Sequence, residues 1–369
     1  MDYHDQLELS RQAFEELSEH FQANSYEGQA YRHLPGYRKS LEKGTVLVAG
    51  TVVRGFPKVP RCLVLDEGIT QHFESPIAVE EKLNGYNVRV ARTDDEIFGF
   101  TRSGLICPFT THKVRSMLRL ESFFEAHPEM MLCGEMIGPE NPYTSAECYD
   151  VDSIAFRAFD IRNQTSGEPL AVEKRREICE EWEIPQTELF GIYEPTEAVE
   201  ATPQIIRELD SDRREGIVMQ TADGGQQLKY TTSAANQGDL AFAFEFPFDY
   251  GRDFSFRRLI REGFQSAEFE ESDARRRERA HGLGESLLEP MAEAIERIKA
   301  GERIGEQHTV RAVPRVVEAL LEHFRDQGLC IDIEADRRLE GERLVTFTKQ
   351  IQRTNDKIEA YLDGTIVKE

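Results

Sequence analysis

The residue in this sequence best placed for nucleophilic chemistry is Lys82, in the segment EEKLNGYNVRV. It stands between the end of a strand-like run and Gly85. A lysine on a solvated face is expected in mid-strand or mid-helix, whereas a glycine turn lets another backbone or a phosphate group come close. Because Lys-x-x-Gly occurs by chance in most proteins of this size, the residues that follow Lys82 decide whether it acts as a nucleophile.

Five segments after Lys82 each place a polar or aromatic group at the edge of an apolar strand, in most cases beside a glycine or a turn. In chain order they are Thr101-Arg102-Ser103-Gly104, Gly134-Glu135 in MLCGEMIGPENPY, Phe159-Asp160-Ile161, Glu215-Gly216-Ile217-Val218 and Leu228-Lys229-Tyr230. Taken singly, the charged residues would be strand-edge ion-pair or solvated residues, and the phenylalanine an ordinary core residue. Only their common order and spacing favour a shared site.

These segments resemble the nucleotidyltransferase motifs I, Ia, III, IIIa, IV and V of covalent ligases and capping enzymes, in that order. The longer matches, EEKLNGYNVRV, CGEMIGPENPY and the ending LKYTT, are most similar to the archaeal ATP-dependent homodimeric RNA ligases. The resemblance implies joining of a 5′-phosphate to a 3′-hydroxyl of RNA through lysyl-adenylate and RNA-adenylate intermediates. Circularisation of single-stranded RNA is one outcome that it allows.

The resemblance also implies a role for each motif residue. Lys82 is the nucleophile, Lys229 holds the α-phosphate of ATP, and Glu215 serves the metal ion or organises the lysine; these three form the expected catalytic set. Lys82 and Lys229 also count among the nucleotide-binding residues. The other residues that the resemblance assigns to nucleotide binding are Glu81, Gly85, Asn87, Arg102, Glu135 and Phe159.

Four of these residues carry more specific expectations from the family. Arg102 would contact the sugar or the phosphates, Glu135 a ribose hydroxyl, and Phe159 the adenine ring. Asn87 stands five residues after the nucleophile, where RNA ligases often have asparagine and DNA ligases arginine. The resemblance at this position therefore favours RNA as the substrate.

The chemistry explains why cations should surround the nucleophile. A lysine amine must be neutral to attack phosphorus, yet the pKa of a free lysine is about 10.4. A second lysine, an arginine and a metal ion can lower it, and Mg²⁺ or Mn²⁺ would neutralise the pyrophosphate leaving group. Many ligases carry Lys-x-Lys in the last motif, whereas Gln227-Leu228-Lys229 offers one lysine. The number of phosphate contacts therefore stays open.

The hydrophobic pattern predicts the elements that would hold these residues. Between residues 77 and 100 the sequence reads as three strands joined by turns, and a helix is predicted over about 111–126, ended by His127-Pro128. Further strands are predicted at 130–137, 153–161, 216–221 and 227–231, with helices near 172–183 and 203–209 between them. An amphipathic helix is predicted over 5–22, interrupted or capped at Ser10 or a neighbouring residue.

These elements predict an α+β fold, a nucleotidyltransferase (ATP-grasp-like ligase) core of antiparallel sheets with helices. The predicted domains are an N-terminal module (1–62), the adenylation domain (63–240), a helical dimerisation domain (241–315) and a C-terminal domain (316–369). The region after the core is expected to be mainly helical, with helices through residue 303, over 313–327 and in the closing run KQIQRTNDKIEAYL.

Apolar runs, the first ten residues and the cysteines bear on the cellular location of the protein. The 369 residues contain no run near the ~18 apolar residues of a membrane helix, and MDYHDQLELS lacks the basic and apolar regions of a signal peptide. The six cysteines lie far apart, which favours reduced thiols over disulfides or zinc. We therefore expect a cytoplasmic protein without a membrane partner.

Three alternatives remain open on the sequence alone. A DNA ligase would share the motifs, but we expect helices and not a β-barrel of the oligonucleotide-binding type at the C-terminus. A capping enzyme would use GTP in place of ATP. A catalytically silent nucleotide- or RNA-binding module on the same fold would form no covalent adduct.

The charge balance generates a first prediction. Lys and Arg number 45 and Asp and Glu 68, a net charge of −23, which is typical of proteins from salt-rich cytoplasm. Salt shortens the range of carboxylate repulsion to about 3 Å at 1 M. We therefore expect the unfolding midpoint and the activity to rise between low and molar KCl. A flat or falling thermal midpoint would show an ordinary acidic protein.

Overall fold

The computed structural model describes residues 2–38, 41–94, 96–144 and 148–367. Within these ranges the chain forms twelve helices and fifteen strands, and the strands are arranged in four antiparallel sheets. Two central sheets carry the residues singled out in the sequence. A third sheet precedes them along the chain and a fourth follows them.

The N-terminal region contains two short helices and a sheet of four consecutive strands. Its elements are α1 (Tyr3–Gln6), α2 (Arg11–Ser18), β1 (Gln22–Tyr26), β2 (Gln29–His33), β3 (Val46–Val48) and β4 (Thr51–Val53). The helix predicted over 5–22 is therefore two short helices, interrupted near Ser10 as expected, and it ends at Ser18 because strand β1 begins at Gln22. The chain leaves the first helix at Glu8, which has a positive φ of 55°, and Ser10 caps α2 by accepting a hydrogen bond from the Ala13 amide at 3.2 Å.

Eight strands of the central region form two four-stranded antiparallel sheets. They are β5 (Ile77–Lys82), β6 (Tyr86–Thr93), β7 (Glu96–Thr101), β8 (Met130–Ile137), β9 (Ala155–Asn163), β10 (Leu189–Tyr193), β11 (Gly216–Thr221) and β12 (Gln227–Thr231). One sheet has the order β10-β5-β11-β12 and the other β7-β6-β8-β9. The α+β prediction with antiparallel sheets is confirmed, although β10 was not predicted. The chain crosses from the first sheet to the second directly after Lys82.

Helices cover the outer faces of these two sheets. They are α3 (Leu65–His72), α4 (Pro108–Met117), α5 (Leu120–Ala126), α6 (Val172–Glu181) and α7 (Pro195–Ser211). Helices α3 and α7 share one buried apolar cluster with strands β5 and β11. The single helix predicted over 111–126 is two helices, because Leu118 has an extended conformation (φ −123°, ψ 153°) that ends α4.

The N-terminal sheet is held against the central sheet β7-β6-β8-β9 by a buried arginine. Arg89 in β6 is fully buried and donates hydrogen bonds to the carbonyl oxygens of Gly44 at 2.8 Å, Thr101 at 3.1 Å and Arg54. Apolar residues of both sheets join one cluster around it. The N-terminal region therefore shares a core with the central region.

The C-terminal region is mainly helical, as predicted, but it also contains a three-stranded sheet that the sequence did not reveal. Its elements are α8 (Ser233–Glu245), α9 (Arg252–Glu268), α10 (Asp273–Lys299), β13 (Gly305–Ala312), α11 (Pro314–Asp326), β14 (Ile331–Leu339), β15 (Glu342–Gln350) and α12 (Gln352–Leu362). The sheet has the order β13-β15-β14. Strand β14, IDIEADRRL, is largely exposed, which explains why its polar sequence did not read as a strand.

Two further expectations concern the chain as a whole. All six cysteines are free thiols, and four of them are buried. None of the helices in the described ranges combines the length and the apolar character that a membrane span requires.

Candidate active site

The turn between β5 and β6 places the predicted nucleophile beside a carboxylate. Lys82 is the last residue of β5, and its Nζ lies 2.7 Å from Oε2 of Glu215, with 21% and 19% of the two side chains exposed. Lys82 lies opposite Gly216 in the register of β5 with β11, and this puts Glu215 next to it. With about a fifth of each side chain exposed, the pair remains accessible to a ligand.

Gly85 is required by the close approach of two sheets. A Cβ atom at this position would lie 2.3 Å from the carbonyl oxygen of Met136 in β8 and 2.9 Å from Cγ of Glu135. Real Cβ atoms do not approach a carbonyl oxygen so closely, so any side chain would push the two sheets apart. The glycine thereby keeps the nucleophile close to the second sheet.

A second cation faces the nucleophile from strand β12. Lys229 lies opposite Val218 of β11, on the face of the sheet that also carries Lys82. Burial, followed by the positive charges of Lys82 and Arg61, lowers the pKa of Lys229 to about 8, although the carboxylate of Glu215 opposes that shift. A lysine in such surroundings gains stability as an ammonium when an anion arrives.

The second sheet contributes an amide and a carboxyl group side by side. Asn87 of β6 lies directly opposite Glu135 of β8, so both side chains project from the same face. The Oδ1 atom of Asn87 is buried without a hydrogen-bond partner. Burial raises the pKa of Glu135 to about 8, although the nearby positive charge of Lys82 opposes that shift. Near neutral pH this carboxyl group can therefore donate a hydrogen bond as well as accept one.

A β-bulge in strand β9 changes the direction of the Phe159 side chain. In the pairing of β8 with β9, Cys133 lies opposite Asp160 and Gly134 opposite Ala158, which leaves Phe159 as the extra residue. Bulges bend a strand and redirect a side chain next to many active sites. The ring of Phe159 makes an edge contact with Phe56, with 5.1 Å between the centroids, and remains half-buried.

Arg102 lies between the second sheet and the N-terminal region. It follows β7 and donates hydrogen bonds to the hydroxyl of Tyr37 and the carbonyl of Pro57, each at 3.2 Å. Its guanidinium also lies 5.7 Å from the centroid of Phe56. The N-terminal region thus holds this arginine with neutral groups and leaves its charge available.

Glu81 is the predicted site residue whose side chain is turned away. Neighbouring residues of a strand face opposite sides, so the carboxylate of Glu81 points away from Lys82. It is buried and pairs with Arg214 at 3.0 Å, and burial raises its pKa to about 7. Only the backbone of Glu81 lies next to the nucleophile, and a role in nucleotide binding stays a prediction.

Comparisons with known proteins agree with this geometry. The family model "RNA ligase" matches residues 75–231, which include every residue discussed above except those of the N-terminal region. The model "Ligase Pab1020 C-terminal region" matches residues 242–365. An uncharacterized protein of Methanocaldococcus jannaschii is 39% identical over 341 residues, covering 89% of this chain and 86% of that protein. The chain belongs to the RNA ligase family.

Solved structures extend the family relationship over nearly the whole chain. Two forms of an archaeal ATP-dependent RNA ligase are each 38% identical, with a TM-score of 0.92, covering 99% of this chain and 98% of that one. A protein of Aquifex aeolicus assigned as an ATP-dependent DNA ligase is 23% identical, with a TM-score of 0.90, covering 97% and 100%. At 23% identity, the similarity to the Aquifex aeolicus protein shows a shared fold only. The predicted membership of the archaeal RNA ligases is confirmed.

The structure also places at this site residues that the sequence analysis missed. Phe56 contacts both Phe159 and Arg102, and Arg61 lies beside Lys229. Both come from the segment RGFPKVPR, whose prolines exclude a regular helix or central strand and which matches no ligase motif. The one available signal was three basic residues in a short segment of a very acidic chain.

The pKa values of the ligase site generate a pH prediction. Between pH 7 and pH 9, Lys229 loses its positive charge and Glu135 gains a negative one, because both pKa values are about 8. Both changes oppose an anionic ligand, so the affinity for ATP should fall by about tenfold per group over this range. Calorimetry with an ATP analogue that cannot be cleaved between the α- and β-phosphates measures the affinity without reaction.

Matched variants separate the two groups. Lys229→Met and Glu135→Gln should each remove part of the pH dependence, whereas Lys113→Met, outside the site, should leave it unchanged. An affinity that is constant or rises with pH would contradict these pKa directions.

Proposed function

We propose that the protein is an ATP-dependent RNA ligase that joins 5′-phosphate and 3′-hydroxyl RNA ends. The observation that carries this proposal is the 2.7 Å contact between Lys82 and Glu215, with Lys229 on the same face of the sheet. Membership of the RNA ligase family supports the reaction class. The archaeal ATP-dependent RNA ligase at 38% identity supports the choice of nucleotide and of polymer.

In the first step Lys82 forms the covalent intermediate. Its ammonium loses a proton, for which the carboxylate of Glu215 at 2.7 Å is the adjacent acceptor. The bond from Nζ to the α-phosphorus forms as the bond from that phosphorus to the bridging oxygen breaks. Pyrophosphate leaves with the electron pair, and Lys229 and Arg102 balance the charge on the α-phosphate.

The next two steps use the same phosphate-binding groups. An oxygen of the RNA 5′-phosphate attacks the α-phosphorus, and Lys82 leaves as an amine that takes up a proton. The 3′-hydroxyl then attacks the 5′-phosphorus of the RNA-adenylate, and AMP leaves. Lys229 remains next to the adenylate phosphate throughout, whereas the nucleophile takes no part in the last step.

The second sheet offers groups that can bind the ribose and the base of ATP. The carboxyl of Glu135 and the unpaired Oδ1 of Asn87 lie side by side and can bind hydroxyl groups. Phe159, redirected by the bulge, offers a half-buried ring for stacking on adenine. The residue type at Asn87 supports RNA over DNA as the polymer, because RNA ligases often have asparagine at this motif position and DNA ligases arginine.

The site suits a magnesium or manganese ion. Mg²⁺ typically binds through one or two carboxylates together with substrate phosphates, and Glu215 supplies one accessible carboxylate beside the nucleophile. Such an ion, when bound, would neutralise the negative charge that develops on pyrophosphate. We propose Mg²⁺ or Mn²⁺ held by Glu215 and the phosphates, in a cytoplasmic enzyme, with RNA circularisation as one outcome.

The decisive prediction concerns the covalent adduct with α-labelled ATP. Lys82→Ala should abolish the adduct on denaturing gels, and so should Lys82→Arg, because a guanidinium with a pKa above about 12 stays protonated. Lys229→Ala should also fail, because the α-phosphate loses its cation. Lys174→Ala is the matched control on an exposed helix face and should form the adduct at the wild-type rate.

Pre-adenylated RNA then separates the two lysines. Lys82→Ala should seal this substrate substantially, since its nucleophile is no longer required, whereas Lys229→Ala should stay impaired. A labelled adduct on Lys82→Ala would show that the nucleophile is misassigned. Absence of an adduct on the wild-type protein would favour a silent nucleotide-binding module, and an adduct with GTP alone a capping enzyme.

We also propose that the protein is a homodimer through α9 and α10, within the predicted dimerisation domain. Four large apolar side chains are exposed on these helices: Phe256, Phe264, Leu288 and Ile295. Phe256 and Phe264 are eight residues apart, and Leu288 and Ile295 seven, so each pair lies on one helix face. Exposed apolar faces of this kind mark association surfaces.

Light scattering tests the dimer. The wild-type chain at micromolar concentration in high salt should have the mass of two chains, and Leu288→Glu should give the mass of one. Leu339→Glu, another exposed leucine on β14, is the control and should remain dimeric. A monomeric wild-type protein would reject the dimer.

A further inference from the structure

Several cations beside the α-phosphate position lack an acidic partner. Many arginines of this chain pair with carboxylates, as expected for a protein with 68 acidic residues. Across the ranges that the structure describes, no Asp or Glu oxygen lies within 4.0 Å of the charged nitrogens of Lys229, Arg61, Arg102 or Arg261. Half-buried cations without partners in so acidic a chain point to an anionic ligand.

Arg61 is held alongside Lys229 by backbone pairing. The amide of Lys229 donates to the carbonyl of Pro60 at 2.9 Å, and the amide of Cys62 donates to the carbonyl of Lys229 at 3.2 Å. Arg61 and Lys229 are thereby parallel partners, and partners in neighbouring strands project from the same face. Arg61 also donates to the hydroxyl of Thr231 at 2.6 Å, which directs its guanidinium along this face.

Arg261 reaches the same place from the C-terminal region. It projects from α9 and donates to Oδ1 of Asn236 at 3.3 Å, and the hydroxyl of Thr231 bonds the same oxygen at 3.2 Å. Burial, followed by the positive charges of Arg61 and Arg258, lowers the pKa of Arg261 to about 10. The two unpaired guanidinium groups therefore repel each other, and an anion between them would relieve that repulsion.

The neighbouring Arg258 shows the contrast. It pairs with Asp239 at 2.6 Å and stacks over Phe254, with 3.4 Å between its guanidinium carbon and the ring centroid. Its charge is satisfied within the protein. The two arginines without such a partner are those nearest to strand β12.

The order of the strands shows where Arg61 and Arg261 lie relative to Lys82 and Lys229. From β5 the sheet continues through β11 and β12 to the segment 60–62, with about 4.8 Å between neighbours. Lys229 therefore lies between Lys82 and Arg61. In phosphoryl transfer the leaving group lies roughly opposite the nucleophile, so with the α-phosphate at Lys229 the remaining phosphates of ATP extend toward Arg61 and Arg261.

We propose that Arg61 and Arg261 bind the β- and γ-phosphates of ATP and hold pyrophosphate as it leaves, an inference that rests on the proposed function. As the bond from Nζ of Lys82 to the α-phosphorus forms, the bridging oxygen leaves with its electron pair, and the two guanidinium groups stabilise that charge. Ligases with Lys-x-Lys in the last motif have a second lysine where this chain has Gln227, which is bonded to Gln220 at 3.0 Å. Arg61 thereby supplies the positive charge that Gln227 lacks.

This role belongs mainly to one half-reaction. AMP has no β- and γ-phosphates, and the phosphoanhydride of RNA-adenylate joins AMP to the RNA 5′-phosphate and carries no γ-phosphate. The two arginines should therefore matter most for adenylation by ATP and for its reversal by pyrophosphate, and less for sealing. The C-terminal helix α9 becomes part of the adenylation site, because it supplies Arg261.

The experiment compares Arg61→Gln, Arg261→Gln and the double variant with the wild-type full-length protein. Each single variant should weaken the affinity for ATP and for inorganic pyrophosphate by about tenfold to a hundredfold, the range of a charge-assisted hydrogen bond. Pyrophosphate-driven release of AMP from a preformed adduct should fall in parallel. Affinity for AMP should stay within about twofold of the wild-type value, and sealing of pre-adenylated RNA should fall less than the pyrophosphate affinity does.

Two controls keep the test specific. Arg61→Lys retains the charge and should recover part of the pyrophosphate affinity. Arg115→Gln removes an arginine outside the site, bonded to the carbonyl of Ile97 at 2.9 Å and paired with Glu96 at 2.6 Å, and should change neither affinity. An unchanged thermal midpoint in Arg61→Gln separates loss of binding from loss of folding, and the AMP affinity makes the same distinction.

Two outcomes would overturn the proposal. Unchanged pyrophosphate affinity in the double variant would show that Arg61 and Arg261 do not bind this anion. Loss of RNA affinity and of sealing with pyrophosphate reversal intact would assign the arginines to the RNA 5′-phosphate. Calorimetry with pyrophosphate needs no covalent adduct, so a wild-type protein that forms none would reject the proposed function and still leave this comparison decisive.

Discussion

The active site depends on the close packing of the Lys82–Gly85 turn against strand β8. Because the backbone at Gly85 lies where a Cβ would be 2.3 Å from the carbonyl oxygen of Met136, the two central sheets meet at this point. The first sheet brings the nucleophile and its carboxylate partner to the junction. The second sheet brings the asparagine–glutamate pair and the bulged phenylalanine. In the proposed mode of binding, a nucleotide between them would contact both sheets at once, with its phosphates on one and its sugar and base on the other.

The net charge of −23 sets an unusual condition for a protein that binds polyanions. Charges are screened beyond about 8 Å at physiological ionic strength and about 3 Å at 1 M salt. The overall field therefore slows the approach of RNA most at low salt, whereas contacts at hydrogen-bond distance are much less affected. Cations left without carboxylate partners, such as Arg102 and Lys229, let the site bind phosphate within an otherwise repulsive surface. At hydrogen-bond distance, phosphate binding therefore depends more on whether a cation has a carboxylate partner than on the net charge of the protein.

The sequence predicted the parts of this fold that repeat over short distances. Apolar runs with glycine turns located seven of the eight central strands, and the motif order singled out Lys82, Glu215 and Lys229, which the structure brings together at one sheet. In the N-terminal region the sequence predicted an interruption near Ser10, which occurs at Glu8 with its positive φ, but the apolar pattern did not show that the second helix ends at Ser18. Strand β14 was missed because its side chains are exposed, and Arg61 because its position results from pairing with a strand far along the chain.

Burial shifts the pKa values of two groups of the site toward each other, with different consequences near neutral pH. The pKa of Lys229 falls to about 8, so this lysine is still mainly an ammonium at pH 7, whereas the pKa of Glu135 rises to about 8, so this carboxyl group is mainly protonated. The site therefore keeps its cation and carries less negative charge than its residue types suggest. A bound phosphate would further stabilise the ammonium of Lys229, while the protonated Glu135 remains able to donate to a hydroxyl. Binding of a phosphate should therefore raise the pKa of Lys229, which favours ligands that carry phosphate over nucleosides that lack it.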